Sequence, residues 1–407
     1  MPFDRLERTL RQELRALDSR KQPESVVVAF LPPEAGRGTR VELEGEGERR
    51  FLRMNSNGYL GLALHPEVIA AEEQAARRFG TGPQAVRFIS GTFAPHVELE
   101  RRLAAFHDRE AAMIYSSAYA AVMGILPPLI DEQTAVISDA LNHNCIINAI
   151  RLAQPAGKWV YPHLDMAALE AALAEASRRC RRALVVTDGV FSMRGDHAPL
   201  ARIAEIVRHF DARFPENVCL VVDDSHGVGA FGATGRGSEE VTGARADVLV
   251  STLGKALGVN GGYVVGSPTL IELLRERSPF YVYSNPITPA EASAACRALE
   301  LLDSPEGTRR LERLRSLTLR FKRGLAQLGY ESLPGEHPVV PLLVRDTPRT
   351  AALVAHLREQ GVLATGLSFP VVPRGEEEIR FQISADHTEA DIDEVLAALA
   401  SFAGREA

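Results

Sequence analysis

A chain of 407 residues is long enough to bury a large core and to divide into two domains, and its 45% hydrophobic and 24% charged content is that of an ordinary globular protein. The formal net charge of -7, from 46 basic against 53 acidic residues, offers no bulk attraction for nucleic acid or an anionic membrane, and no run approaches a transmembrane span. Cys145, Cys180, Cys219 and Cys296 are widely separated without a C-x-x-C pair, which argues against a metal site of the zinc type or a disulfide framework and fits a reducing cytoplasm.

Phe3, Leu6, Leu10, Leu14 and Leu17 recur at helical spacing among many charges, the pattern of an amphipathic helix and not of a signal peptide. Pro32 to Gly38 reads as a flexible connection, and Val41 to Arg53 as two short strands around Glu44-Gly45-Glu46-Gly47 that wrap the main body. From about Pro66 to Ser284 helix and strand alternate: a helix from Pro66 to Phe79, strands at Ala111 to Tyr115 and Ala135 to Ile137, a helix from Met166 to Arg178, and strands at Ala183 to Val186, Val218 to Val222 and Ala246 to Val250. That alternation predicts crossover connections and a mainly parallel α/β sheet.

Beyond Pro289 the order becomes mixed. Helical stretches at Ala290 to Leu302 and Gly307 to Leu328 precede a strand at Val339 to Val344, a helix at Arg349 to Gln360, strands near Val362 to Thr365 and at Glu378 to Ile383, and a closing helix from Glu389 to Phe402. The expected division is an N-terminal segment (1–55), a large domain (56–289) and a smaller α+β domain (290–407).

Chemistry-bearing residues gather where the apolar runs end. Val218 to Val222 reads as a fully buried strand, so Asp223 and His226 of Asp223-Asp224-Ser225-His226 stand at the ligand edge of a parallel sheet. Ala246 to Val250 repeats the arrangement with Ser251, Thr252 and Lys255. A P-loop is excluded, because the G-x-x-x-x-G-K-[S/T] spacing is absent and Ala256 follows the lysine. An amine, a carboxylate, an imidazole and phosphate-compatible hydroxyls converging on one crevice suit pyridoxal phosphate, with the lysine as Schiff-base former and the aspartate holding the pyridine nitrogen protonated.

Further segments extend the pattern. Gly80-Thr81-Gly82 to His96 is glycine-punctuated, which a turn explains as well as a site. Tyr115 to Ala120 opens a helix whose first N–H groups suit a phosphate or an ordinary serine cap. His143 and Ser192 follow strands, where the imidazole would stack on a cofactor or fill a core position, and the hydroxyl would meet a ring oxygen or close a turn. Arg380, inside the apolar strand Glu378-Ile379-Arg380-Phe381, favours capture of a carboxylate.

On these motifs the chain resembles the α-oxoamine synthase family, fold-type I pyridoxal-phosphate transferases that condense an amino acid with an acyl-CoA. The likeness runs from Asn57-Gly58-Tyr59-Leu60-Gly61-Leu62 to Ser384-Ala385-Asp386-His387-Thr388. It is strongest toward the glycine C-acetyltransferase branch at Ser138 to His143, Thr187 to Met193, Asp223 to His226, Thr252 to Gly258, Tyr283-Ser284-Asn285 and Phe369-Pro370-Val371-Val372-Pro373.

The resemblance implies a Schiff base on Lys255, Asp223 at the pyridine nitrogen, His226 and Ser192 at the ring oxygen, and His143 over the ring and near the substrate. It implies phosphate contacts from Ala118, Tyr119 and Thr252, joined by Ser284 and Asn285 of a second subunit in a homodimer with interfacial sites. Asn57 and Arg380 would bind the substrate carboxylate. Three positions depart from the family pattern: Gly58 and Val122 replace polar residues, and Arg194 replaces an acid. The implied substrates are glycine and acetyl-CoA. The alternatives are a decarboxylating branch such as 8-amino-7-oxononanoate synthase or an enzyme using a longer acyl thioester, an aminotransferase on the same fold, and a non-enzymatic cofactor-binding protein.

Overall fold

The structure is a computed structural model that describes residues 3–17, 24–34, 36–369 and 372–406, so Ala35, Pro370 and Val371 of the segments named above lie outside it. Its strands in chain order are β1 Val27–Leu31, β2 Arg40–Leu43, β3 Arg50–Arg53, β4 Ala111–Tyr115, β5 Thr134–Asp139, β6 Gly157–Tyr161, β7 Arg182–Asp188, β8 Val218–Asp223, β9 Val248–Thr252, β10 Gly262–Gly266, β11 Glu331–Ser332, β12 Val339–Leu343, β13 Val362–Leu363, β14 Thr365–Leu367 and β15 Glu378–Gln382.

A seven-stranded sheet with the order β4-β10-β9-β8-β7-β5-β6 forms the centre. Neighbours from β9 to β6 pair in parallel, whereas β10 runs antiparallel to both β9 and β4. The sheet is therefore mainly parallel as expected, with one reversed strand and the partly exposed β6 as additions. Helices cover both faces, burying Val136, Val186, Val221 and Val250 in one apolar layer and Ile137, Val185, Val222 and Leu249 in the other. This two-sided burial is why the strands read as continuous apolar runs and not as alternations.

Helix starts follow local chemistry. Ser267, Thr288, Ser304 and Asp346 each accept a backbone N–H at a helix N-terminus, followed in every case by a proline in the first turn. The helix Pro66–Phe79 lies where the periodicity predicts it; those at Pro289–Leu302, Pro305–Gln327 and Thr347–Glu359 each begin slightly earlier than predicted. The N-terminal helix Asp4–Ala16 forms with no residue buried.

Two four-stranded sheets complete the fold. In the first, β1-β2-β3 is an antiparallel ribbon extended by β13 in parallel to β3; the second, β11-β12-β15-β14, is antiparallel. The single strand expected near Val362 to Thr365 is thus two, split at Ala364 between different sheets. Among the described residues no helix is long and apolar enough to cross a membrane.

The parallel strands β5, β7, β8 and β9 all end at one edge of the large sheet, which brings Asp139, Asp188, Asp223 and Thr252 to a common rim.

Candidate active site

One cleft at this rim is lined by Ala118, Tyr119, His143, Ser192, Asp223, His226 and Lys255, seven of the residues singled out from the sequence, together with Cys145, Asp188, Val190 and Ser225. Thr252 ends β9 three residues before Lys255, while Arg380 joins through the Ser192 loop and Asn57 through Arg380. Ser284 and Asn285 lie elsewhere, on an outer segment where Tyr283 is 81% exposed.

Asp223 is held rigidly. Its Oδ1 accepts from Ser225 N at 3.1 Å and Ser225 Oγ at 2.5 Å, and its Oδ2 accepts from Cys145 Sγ at 3.7 Å. Asp188 is its register partner on β7. Asp188 Oδ2 accepts the His143 N–H at 3.2 Å, whereas its buried Oδ1 has no hydrogen-bond partner. Burial, reinforced by the Asp223 charge, pushes the Asp188 carboxyl well above the usual range, which favours its protonated form.

The His143 loop is pinned by Asn142, whose amide donates to Val186 O at 2.7 Å and accepts from Asp188 N at 2.9 Å. His143 itself caps the helix Asn144–Ala153 through Nδ1, which also contacts Cys145 Sγ at 2.9 Å. Burial lowers its pKa against the pull of Asp223.

Lys255 sits in a tight loop after β9, closed by hydrogen bonds from Thr252 Oγ1 to Gly261 O at 3.1 Å and from Gly254 N to Thr252 Oγ1 at 3.0 Å. Burial draws its ammonium down to about 8, although Asp223 and Asp188 oppose the shift. A substantial neutral-amine fraction near neutral pH is the state a nucleophile or base requires.

Across the cleft, Arg380 on β15 donates from Nε to Ser192 O at 2.6 Å and from NH2 to Asn57 Oδ1 at 3.3 Å. The Ser192 loop is braced from behind. His163 bridges Asp139 Oδ1 at 3.0 Å and Asp196 Oδ2 at 3.1 Å, and Arg194 Nε donates to the same Asp196 oxygen at 3.0 Å. The reversed charge at 194 is therefore neutralised within its own loop. Val122 is buried in the apolar layer behind the sheet, and a Cβ at Gly58 would meet only Ser56 Oγ, at 3.4 Å.

At the start of the helix Ala118–Leu129, Ser117 Oγ accepts from Ala120 N at 3.0 Å, leaving the N–H groups of Ala118 and Tyr119 at the helix terminus. Gly262 makes room for them: a Cβ there would stand 2.2 Å from Ala118 N.

Sequence reasoning overlooked Asp188, Cys145 and Ser225. Asp188 carries the same strand-end signal as Asp223; Cys145 and Ser225 sit two residues from recognised positions and have no signal of their own.

Pyridoxal phosphate fits this donor set: an amine, a carboxylate for a ring nitrogen, helix N–H groups beside a glycine cradle for a phosphate, and Asp188, which lines the cleft and keeps a buried oxygen without a hydrogen-bond partner among the described residues.

Comparison with known proteins agrees. Residues 49–399 match the aminotransferase class I and II family. The chain is 42% identical to Bos taurus mitochondrial 2-amino-3-ketobutyrate coenzyme A ligase over 84% of its own length and 80% of the relative's. It is 41% identical to Geobacter metallireducens 8-amino-7-oxononanoate synthase, covering 90% and 91% respectively. The solved structure of Sphingomonas wittichii serine palmitoyltransferase superposes with a TM-score of 0.87 at 27% identity, over 100% of this chain and 98% of that one. The chain belongs to the aminotransferase class I and II family and, within it, to the α-oxoamine synthases, pyridoxal-phosphate-dependent acyltransferases of fold type I.

Proposed function

We propose that this protein condenses an amino acid, glycine by preference, with an acyl-CoA, acetyl-CoA by preference, and releases CoA. The observation that carries the amino-acid half is the presence of one half-buried amine, Lys255, in the cleft and one half-buried guanidinium, Arg380, bonded to the cleft's Ser192 loop. A substrate bearing both an amino group and a carboxylate matches that pair. The acyl-CoA half rests on the 42% identical 2-amino-3-ketobutyrate coenzyme A ligase.

Pyridoxal phosphate, when bound, supplies the electron sink that acidifies the amino acid's Cα–H bond. Asp223 would hold the ring nitrogen's proton, its three hydrogen bonds keeping the carboxylate in place. The Ala118 and Tyr119 N–H groups and Thr252 would hold the phosphate, with Ser284 and Asn285 supplied by a second copy of the chain. His226 and Ser192 would address the cofactor's ring oxygen, and His143 would lie against the ring and near the substrate. Arg380 and Asn57 orient the substrate carboxylate, and Lys255 Nζ takes the Cα proton.

The homodimer is part of the same reading: Tyr283, Phe88 and Ile89 are 81%, 67% and 65% exposed, large apolar side chains that a partner would cover. So is a cytoplasmic location, consistent with four free cysteines.

A decarboxylating reaction with a longer acyl chain is the second reading. It is favoured by the 41% identity to 8-amino-7-oxononanoate synthase. The deciding experiment measures CoA release across a grid of amino acids and acyl-CoA lengths, with product masses and a Lys255→Ala control. Glycine with acetyl-CoA giving an undecarboxylated product supports the first reading; CO₂ loss or a longer-chain preference supports the second. Amino transfer to a keto acid without CoA release would make the protein an aminotransferase.

A further inference from the structure

Tyr59 belongs to the Asn57 to Leu62 motif, yet the chemistry above gives it no task. It is fully buried, with its ring edge-on to His337 at 5.6 Å and to His226 at 6.2 Å between centres. Its hydroxyl lies 2.7 Å from His226 Nδ1 and 3.3 Å from Asn57 Oδ1, the atom that also accepts from Arg380. One phenol thus touches both the imidazole assigned to the ring oxygen and the amide assigned to the carboxylate.

A phenol has a single proton to donate. Given to His226 Nδ1, it leaves the imidazole protonated on Nε2, with a donor turned to the cleft. Given to Asn57, it requires His226 to carry its proton on Nδ1 and to offer the cleft a lone pair. The 2.7 Å contact against the 3.3 Å one selects the first arrangement. His226 is also neutral, since burial and the charges of Lys255 and Arg380, with His337 and His143 nearby, hold it well below its ordinary pKa. His337 does not compete for the phenol: its Nε2 donates to His226 O at 2.8 Å and its Nδ1 accepts from Val339 N at 3.1 Å.

We propose that Tyr59 is a positioning residue whose hydroxyl fixes His226 as the Nε2–H tautomer and, through Asn57, couples that tautomer to occupancy of the Arg380 carboxylate site. This rests on the functional reading of His226, Asn57 and Arg380 given above. When a carboxylate engages Arg380, Asn57 Oδ1 loses a charged donor and becomes a stronger acceptor for the Tyr59 hydroxyl, which loosens its hold on His226.

The test uses holoenzyme labelled with 15N-histidine, with His226 assigned by the signal missing in His226→Gln. Wild type is expected to show a single Nε2–H tautomer whose shifts move on adding the amino acid. Tyr59→Phe, which keeps the ring against His337, is expected to give averaged nitrogen shifts that no longer respond to the amino acid, a displaced pH midpoint for the bound cofactor's absorbance, and a kcat lower by about threefold to tenfold. An unchanged tautomer in Tyr59→Phe overturns the proposal. Arg380→Gln, made in parallel, isolates the underlying reading. If it leaves the KM for the amino acid unchanged, the carboxylate assignment falls and takes the coupling with it, while the tautomer claim is decided by Tyr59→Phe alone.

Discussion

Asp188 and Asp223 stand side by side as the last residues of neighbouring parallel strands, paired in register across the β7–β8 ladder. Only Asp223 is wrapped in side-chain hydrogen bonds; Asp188 keeps a buried oxygen without a partner. Two adjacent carboxylates at one rim cannot both ionise cheaply, and burial beside Asp223 favours the protonated form of Asp188.

Replacing them should therefore have unequal effects. Asp188→Asn keeps a neutral group of the same shape, and kcat is expected to stay within about threefold at neutral pH, whereas Asp223→Asn is expected to lose on the order of 10²-fold or more. The sign for stability follows from the raised Asp188 pKa: the folded state holds a proton that the unfolded chain gives up near 4, so this group's contribution declines as pH rises above that value. The melting temperature of Asp188→Asn relative to wild type should accordingly increase from pH 4 to pH 8 in paired thermal scans.

Gly262→Ala should disable the phosphate end. Gly262 pairs with both Tyr115 and Thr252, and a Cβ would stand 2.2 Å from Ala118 N and 2.4 Å from Ser117 C, backbone atoms that cannot swing aside. The expected cost is about 1–3 kcal/mol of stability, with weakened cofactor affinity measured by titrating apoprotein with pyridoxal phosphate.

The Lys255 amine, drawn down to about 8 by burial, predicts a pH-dependent capture of the cofactor. Below that pH Nζ is mostly protonated and unreactive, so the capture rate followed by absorbance should rise by about tenfold per pH unit and level off above it. A rate independent of pH between 6 and 8 would contradict this. Lys255→Ala should show no capture, and its turnover should fall by about 10²- to 10⁴-fold.

His163 braces the Ser192 loop as a cation. Burial alone would lower its pKa, but hydrogen bonds to Asp139 and Asp196 outweigh burial and raise it to about 9. The stabilisation from this raised pKa is fully present below about 6.5 and is lost as pH rises through about 9. His163→Gln is expected to cost about 1–2 kcal/mol at pH 6 and progressively less as pH rises from about 6.5 to about 9, measured by urea denaturation at each pH.

The strand-end residues were legible because their information is local. Asp223, His143, Ser192 and Lys255 each follow an apolar run by a few residues, and a strand buried on both faces delivers whatever follows it to the ligand edge. Asp188 obeys the same rule and was available to it. The direction of β10 was not, because a five-residue apolar run looks the same whichever way it lies in the sheet. Nor was the break at Ala364, where two short strands join different sheets through partners distant in sequence.

By itself, then, the sequence determined the α/β architecture and which residues line the cleft at the sheet's rim, since burial period and strand ends are properties of short segments. Tertiary structure alone decided how the two ends of the site are joined. Tyr59 reaches His226 across 167 positions and Arg380 reaches Ser192 across 188, contacts between a loop, two strand ends and a strand of another sheet. No local pattern encodes such pairs, because hydrogen-bond geometry is set by how separate elements pack and not by the residues that flank each partner.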